Sequence, residues 1–152
     1  IGCQRDKEAA IAETNGLKKA IQDFAKNSLN CSDDVVQHRV EDAHAYIKQK
    51  RADGEEVSLI GLANRVFPEN SDNFLVVARE NHGISDEIAI SDSELKKYLR
   101  ISGKSKGVSI SFDRGLLGKT VIYNDGKLTF TEIPDSLKNE ILEENENRAM
   151  NN

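Results

Sequence analysis

Seven basic side chains crowd one short stretch of the chain: Lys96, Lys97, Arg100, Lys104, Lys106, Arg114 and Lys119. Asp113 is the single acid between Leu95 and Lys119, so this stretch carries a net charge of +6. The whole chain carries −5, which leaves −11 on the remainder. Clustered lysine and arginine neutralise the phosphates of a polyanion and release its counterions, an effect that depends on where charge sits and not on its total. The glycines of Gly103-Lys104-Ser105-Lys106-Gly107 also let backbone N–H groups approach phosphate oxygens. The competing reading is a solvated loop whose lysines keep a sheet edge from pairing with other chains.

Other reactive constellations fail on spacing. Gly103-Lys104-Ser105 has the ending of a nucleotide-binding loop, but the earlier glycine that loop requires falls at Tyr98. His38, Glu41, Asp42 and His44 share one helix, yet two histidines six apart lie on different faces, unlike the i, i+4 pair of a zinc helix. The segments 58–66 and 72–81 have the order of a helix-turn-helix. Phe67 stands where a tight-turn glycine is usual, and Arg79 is the lone basic residue among Asp72 and Glu80 in the second helix, so bundle packing is the expected role. Cys31 has no base near it in sequence. No nucleophile, base and orienter come together, so we expect no enzyme, no metal and no cofactor.

The elements that position the basic stretch are legible from periodicity. Leu17, Ala20, Ile21 and Phe24 follow i, i+3, i+4, i+7, the spacing of one helix face, with Asn15-Gly16 marking its start. Ser32 with Asp33 and Asp34 is an N-cap with first-turn carboxylates, opening a helix striped by Val36, Val40, Ala43 and Ile47 that stops at Gly54. Ser58 caps a helix carrying Leu59, Leu62, Ala63 and Val66; Asp72 opens another, with Phe74, Val77 and Ala78 inward, that stops at Gly83. Ser91 and Glu94 have the spacing of a capping box before Leu95, Tyr98 and Leu99.

After Gly103 the period changes to two. Val108, Ile110 and Phe112 alternate with polar residues, Thr120 to Tyr123 is β-branched and aromatic, and Asp125-Gly126 is a hairpin turn leading to Leu128 and Phe130. These predict a three-stranded antiparallel sheet at 107–113, 119–123 and 127–131. Pro134 suits the first turn of a last helix with Leu137, Ile141 and Leu142 on its inner face. The fold class is therefore α+β: a helical first half, a small antiparallel sheet and a closing C-terminal helix.

An apolar share of 38% against 31% charged residues suits a folded chain with a heavily solvated surface. Residues 1–13 read as the end of a preceding element and a linker, 14–146 as a single α+β domain of a longer protein, and 147–152 as a polar tail. The start at Ile1, with Met150 the sole methionine, suggests that an N-terminal portion is missing. No span suits a bilayer and no signal peptide is visible; Cys3 and Cys31 read as reduced thiols of a cytoplasmic protein. Aromatic residues are too few for base-stacking platforms, which disfavours single-strand binding.

A set of motifs, each weak alone, is specific in combination. Ser102-Gly103-Lys104-Ser105-Lys106-Gly107-Val108-Ser109-Ile110-Ser111-Phe112-Asp113, followed by Leu116-Leu117-Gly118, resembles the signature stretch of the NdpA-type nucleoid-associated family. Ile122-Tyr123, Leu128-Thr129, Ile133-Pro134 and Leu137 downstream are similar to it too. So are Asn15-Gly16-Leu17-Lys18, Gly54-Glu55-Glu56-Val57-Ser58-Leu59 and Asn73-Phe74 upstream. The match spans roughly residues 1–142 and corresponds to the family's C-terminal part. The resemblance implies a bacterial, cytoplasmic protein of the nucleoid that binds double-stranded DNA largely without sequence specificity. It supplies no residue-by-residue contact set, so the seven basic residues are candidates on charge alone. The alternative expectation is a dimerisation or protein-interaction module, contacting a second copy or another nucleoid protein, whose DNA-binding surface lies in the missing N-terminal portion.

Overall fold

A computed structural model describes the backbone of residues 2–151 and the side chains of residues 5–151. The side chain of Cys3 lies outside the described residues. The chain forms α1 (Gly2–Asp23), a π-helical turn (Phe24–Ser28), α2 (Asp33–Ala52), α3 (Leu59–Val66), α4 (Ser71–His82) and the short α5 (Asp92–Leu95). A 3₁₀ turn (Lys96–Tyr98) leads to strands β1 (Arg100–Ser105) and β2 (Val108–Asp113). A second 3₁₀ turn (Arg114–Leu116), β3 (Val121–Asn124), β4 (Lys127–Phe130) and α6 (Asp135–Asn151) complete the order. The α+β class with helices first holds. By its contacts the chain divides into two compact units, 1–115 and 116–152.

The first unit is a helical core. The predicted stripes Leu17–Ala20–Ile21, Val40–Ala43–Ile47 and Leu59–Leu62–Ala63–Val66 are fully buried and meet in one apolar cluster. Phe24, Phe67 and Phe74 close it as a trio of rings with centroids 4.8 to 5.5 Å apart. Ser32 and Ser58 cap α2 and α3, their hydroxyls accepting from Val35 N at 3.4 Å and Gly61 N at 2.9 Å. Each cap satisfies a backbone donor that the first helical turn leaves open.

Two local expectations give way to tertiary contacts. α1 does not begin at Asn15-Gly16 but runs through them from Gly2. Gly16 lies within the helix, where a Cβ would make an ordinary 3.4 Å contact with the Ile84 side chain, so it does not mark a helix start. Residues 5–13 lack an apolar stripe because they are mostly exposed, not because they are non-helical. The Ser91–Glu94 capping box also does not form. Ser91 N donates to the buried Thr14 hydroxyl at 2.8 Å, and the Glu94 carboxylate is taken by Lys97 at 2.9 Å.

The sheet is two hairpins and not one three-stranded sheet. β1 pairs antiparallel with β2, and β3 pairs antiparallel with β4. The edge of β2 expected to receive β3 is thus not used for it; β2 pairs with the strand before it, which the sequence presents as a loop. The Asp125-Gly126 turn is as expected: both residues have positive φ, 50° and 78°, the combination a type I′ hairpin turn needs.

The second unit holds β3, β4 and α6. Its helix continues to Asn151, through the segment expected to be a polar tail. Leu137, Ile141 and Leu142, predicted to face inward, are instead 46%, 46% and 51% exposed. No helix of the described residues is long and apolar enough to cross a membrane.

Candidate nucleic-acid interface

The basic stretch is anchored by Tyr98. Its fully buried ring sets the hydroxyl to donate to Thr14 O in α1 at 2.7 Å, and its carbonyl accepts from Gln37 Nε2 of α2 at 3.0 Å. Burial first, and the nearby Glu94 carboxylate second, push this phenol far above the usual tyrosine range, so it stays a neutral donor. The turn Lys96–Tyr98 is thereby clamped between two core helices, with Lys96 and Lys97 exposed.

β1 leaves from this clamp. Successive side chains alternate between the faces of a strand, so Arg100, Ser102 and Lys104 share one face, while Ile101 and Ser105 share the other. In register across the ladder they meet Asp113, Ser111 and Ser109 on the first face and Phe112 and Val108 on the second. The hairpin therefore has a polar face and a more apolar one. Lys106-Gly107 makes the two-residue turn between Ser105 and Val108. Five steps of about 3.3 Å put the turn roughly 16 Å from the base of the hairpin.

The seven candidates do not form one uniform patch. Lys104 and Lys106 stand at the far end of the hairpin, exposed, and with Lys96 they form no ion pair among the described residues. Lys97 is held by Glu94 at 2.9 Å. Arg100 is held by Asp113 at 2.7 Å and by Ser111 Oγ at 2.8 Å. Arg114 is half-buried; its backbone N donates to Leu99 O at 2.8 Å and its Nε donates to Lys97 O. Lys119 is exposed and lies in the second unit. Of the seven cations, Lys97 and Arg100 are thus paired at the base by Glu94 and Asp113, while Lys104 and Lys106 at the tip form no ion pair among the described residues.

One cation outside the stretch belongs with it. Lys18 of α1, one turn after Thr14, is buried to 9% exposure and senses the charges of Arg114, Glu94 and Lys97. Its signal in the sequence is a lysine on the apolar face, between Leu17 and Ile21. The histidines are dispersed: His38 pairs with Glu41 at 3.4 Å, His82 with Asp23 at 3.2 Å, and burial, then Lys48, lowers the pKa of His44. Cys31 is a free, partly buried thiol at the edge of the core.

A helical core presenting a cationic β-hairpin is the architecture of the first unit. Among known families, the one described as "Nucleoid-associated protein YejK" matches residues 1–138, and the chain belongs to that family. Curated relatives are also named nucleoid-associated proteins. The nucleoid-associated protein of Metapseudomonas resinovorans is 28% identical over 93% of this chain and 43% of its own length. That of Pseudomonas fluorescens strain Pf0-1 is 28% identical over 95% of this chain and 44% of its own. One from Pseudomonas aeruginosa strain UCBPP-PA14 is 26% identical over 93% and 42%. The chain therefore spans less than half the length of these relatives.

Proposed function

We propose that this chain is a double-stranded DNA-binding part of a cytoplasmic, nucleoid-associated protein, and that it binds through phosphate contacts without reading base sequence. The observation that carries the reading is the pair Lys104 and Lys106, exposed and without an ion pair among the described residues, at the end of a hairpin rigidly rooted in the core. The names of the relatives support the nucleoid location. Cations on a strand and a turn reach phosphate oxygens without entering a groove, and such contacts fix position while carrying no base information. Its role is binding rather than catalysis, and the reading invokes no metal and no cofactor.

The test replaces Lys104 and Lys106 with glutamate and follows duplex binding by fluorescence anisotropy across a salt series. We expect weaker binding to every sequence alike, with the salt slope reduced by roughly one unit for each lost phosphate contact. Both residues are exposed, so the circular dichroism spectrum should not change. Binding by the double variant equal to the parent at low salt overturns the reading.

A second reading, a dimerisation or partner-binding module, is favoured by the exposed apolar row Leu137, Ile141 and Leu142 on α6. Sedimentation of the parent over a range of concentrations tests it. A concentration-dependent mass that Ile141→Glu abolishes supports self-association; a single monomeric species at all concentrations removes it.

A further inference from the structure

The base of the hairpin holds a charge imbalance that the pairing within the chain does not resolve. Lys18, only 9% exposed, has no salt bridge among the described residues. The one nearby carboxylate that favours its charge, Glu94, is already taken by Lys97 Nζ at 2.9 Å. Arg114 uses its Nε on Lys97 O, and among the described residues its terminal guanidinium nitrogens make no hydrogen bond. Lys97 and Lys18 thus share one carboxylate, and Arg114, the first residue after β2, adds a third cation through its bond to the Lys97 carbonyl.

Elementary electrostatics makes this arrangement costly by itself. Burial, then the positive charge of Arg114, hold the Lys18 ammonium below the ordinary lysine value, with Lys97 and Lys19 adding to the effect and Glu94 opposing it. Burial acts on Arg114 in the same direction, although a guanidinium stays charged at neutral pH. A tetrahedral oxyanion relieves the imbalance directly. A guanidinium fork can give such an anion two parallel bonds and a compact ammonium a third, while Lys97 would contribute its field.

We propose that Lys18, Lys97 and Arg114 form a seat for a single phosphate group, filled in this protein by a phosphodiester of the duplex DNA backbone. The inference deepens the DNA-binding reading above and rests on it for the source of the phosphate. It makes the hairpin a two-point contact: a partly buried seat at the base, and the lysines Lys104 and Lys106 roughly 16 Å away at the tip.

The test uses the full chain and the variants Lys18→Met, which keeps the stem and removes the charge, and Arg114→Gln. Lys18→Met should melt no lower than the parent in phosphate-free buffer, since it removes a charge that no carboxylate pairs and keeps the buried stem; a clear loss of stability identifies Lys18 as a structural residue and overturns the seat. With duplex DNA, each variant should bind about five- to tenfold more weakly, with a salt slope smaller by roughly one unit. If Lys104→Glu/Lys106→Glu weakens binding while Lys18→Met keeps the parent's affinity and slope, the seat is wrong and the hairpin reading stands. If the parent binds no duplex, the DNA reading fails and inorganic phosphate decides the seat. Phosphate that raises the melting temperature of the parent, but not of Lys18→Met, over chloride at equal ionic strength supports a seat for the free anion. Equal shifts in both proteins, or none, overturn it.

Discussion

Both α1 and α6 carry apolar residues at helical spacing, and the two have opposite fates. In the first unit, Leu17, Ala20 and Ile21 of α1 are fully buried, within a cluster that draws on α2, α3, α4 and the 84–98 segment. In the second unit, Leu137, Ile141 and Leu142 of α6 are about half exposed, and Val121 is the buried apolar residue of the β3–β4 hairpin. A stripe records that a helix is able to bury one face; it does not record whether an opposing surface exists. Helices α2, α4 and α5 supply that surface to α1. A hairpin of four-residue strands presents only two side chains per strand to each face, too few to cover seventeen residues of helix.

The largest expected effect probes the packed side of this contrast. Phe74 is fully buried, with its ring centroid 4.8 Å from Phe67 and 5.5 Å from Phe24. Phe74→Ala should cost about 3–5 kcal/mol in urea unfolding, the sum of lost transfer energy and an unfilled cavity. A loss below about 1 kcal/mol would mean that the helical core is far looser than its packing indicates.

Tyr98→Phe comes next. It removes the hydroxyl that donates to Thr14 O at 2.7 Å but keeps the buried ring, so about 1 kcal/mol should be lost. The same variant sharpens the link between core and hairpin: a release of the 96–98 turn should appear as faster amide exchange at Leu99 and Arg114, whose backbones pair at 2.8 Å. Unchanged exchange there would separate the hairpin's position from the tyrosine clamp.

Ile141→Ala should matter least, within about 0.5 kcal/mol, because a side chain 46% exposed loses little on truncation and alanine favours the helix. A cost comparable to that of Phe74→Ala would break the comparison, since it requires the α6 stripe to be covered in solution.

Most of the helical frame was legible in the sequence, and the reasons differ from element to element. Ser32 and Ser58 cap as predicted because a cap involves groups three residues apart, which is local information. Ser91 fails the same pattern because Thr14, 77 residues away in sequence, outcompetes Glu94 for its N–H. β1 was hidden for a different reason. Of the face it shares with Val108, Ile110 and Phe112, only Ile101 is apolar; Gly103 has no side chain and Ser105 is polar, so no alternation marks it. With β1 unseen, β2 lacked its partner, and a three-stranded sheet with β3 was the nearest local solution.

The site divides in the same way. Composition and spacing alone determined where the cations are, that Lys104 and Lys106 stand between two glycines, and that the charge is concentrated against an acidic background, because these are properties of neighbours along the chain. Only the tertiary structure decided which of those charges remain unpaired. Glu94 claims Lys97 across a helical turn, Asp113 claims Arg100 across a ladder thirteen residues later, and Lys18 arrives from α1, nearly a hundred residues before Arg114. Coulomb interaction and desolvation act through distance in space, and a linear sequence carries that distance only where the chain is its own nearest neighbour.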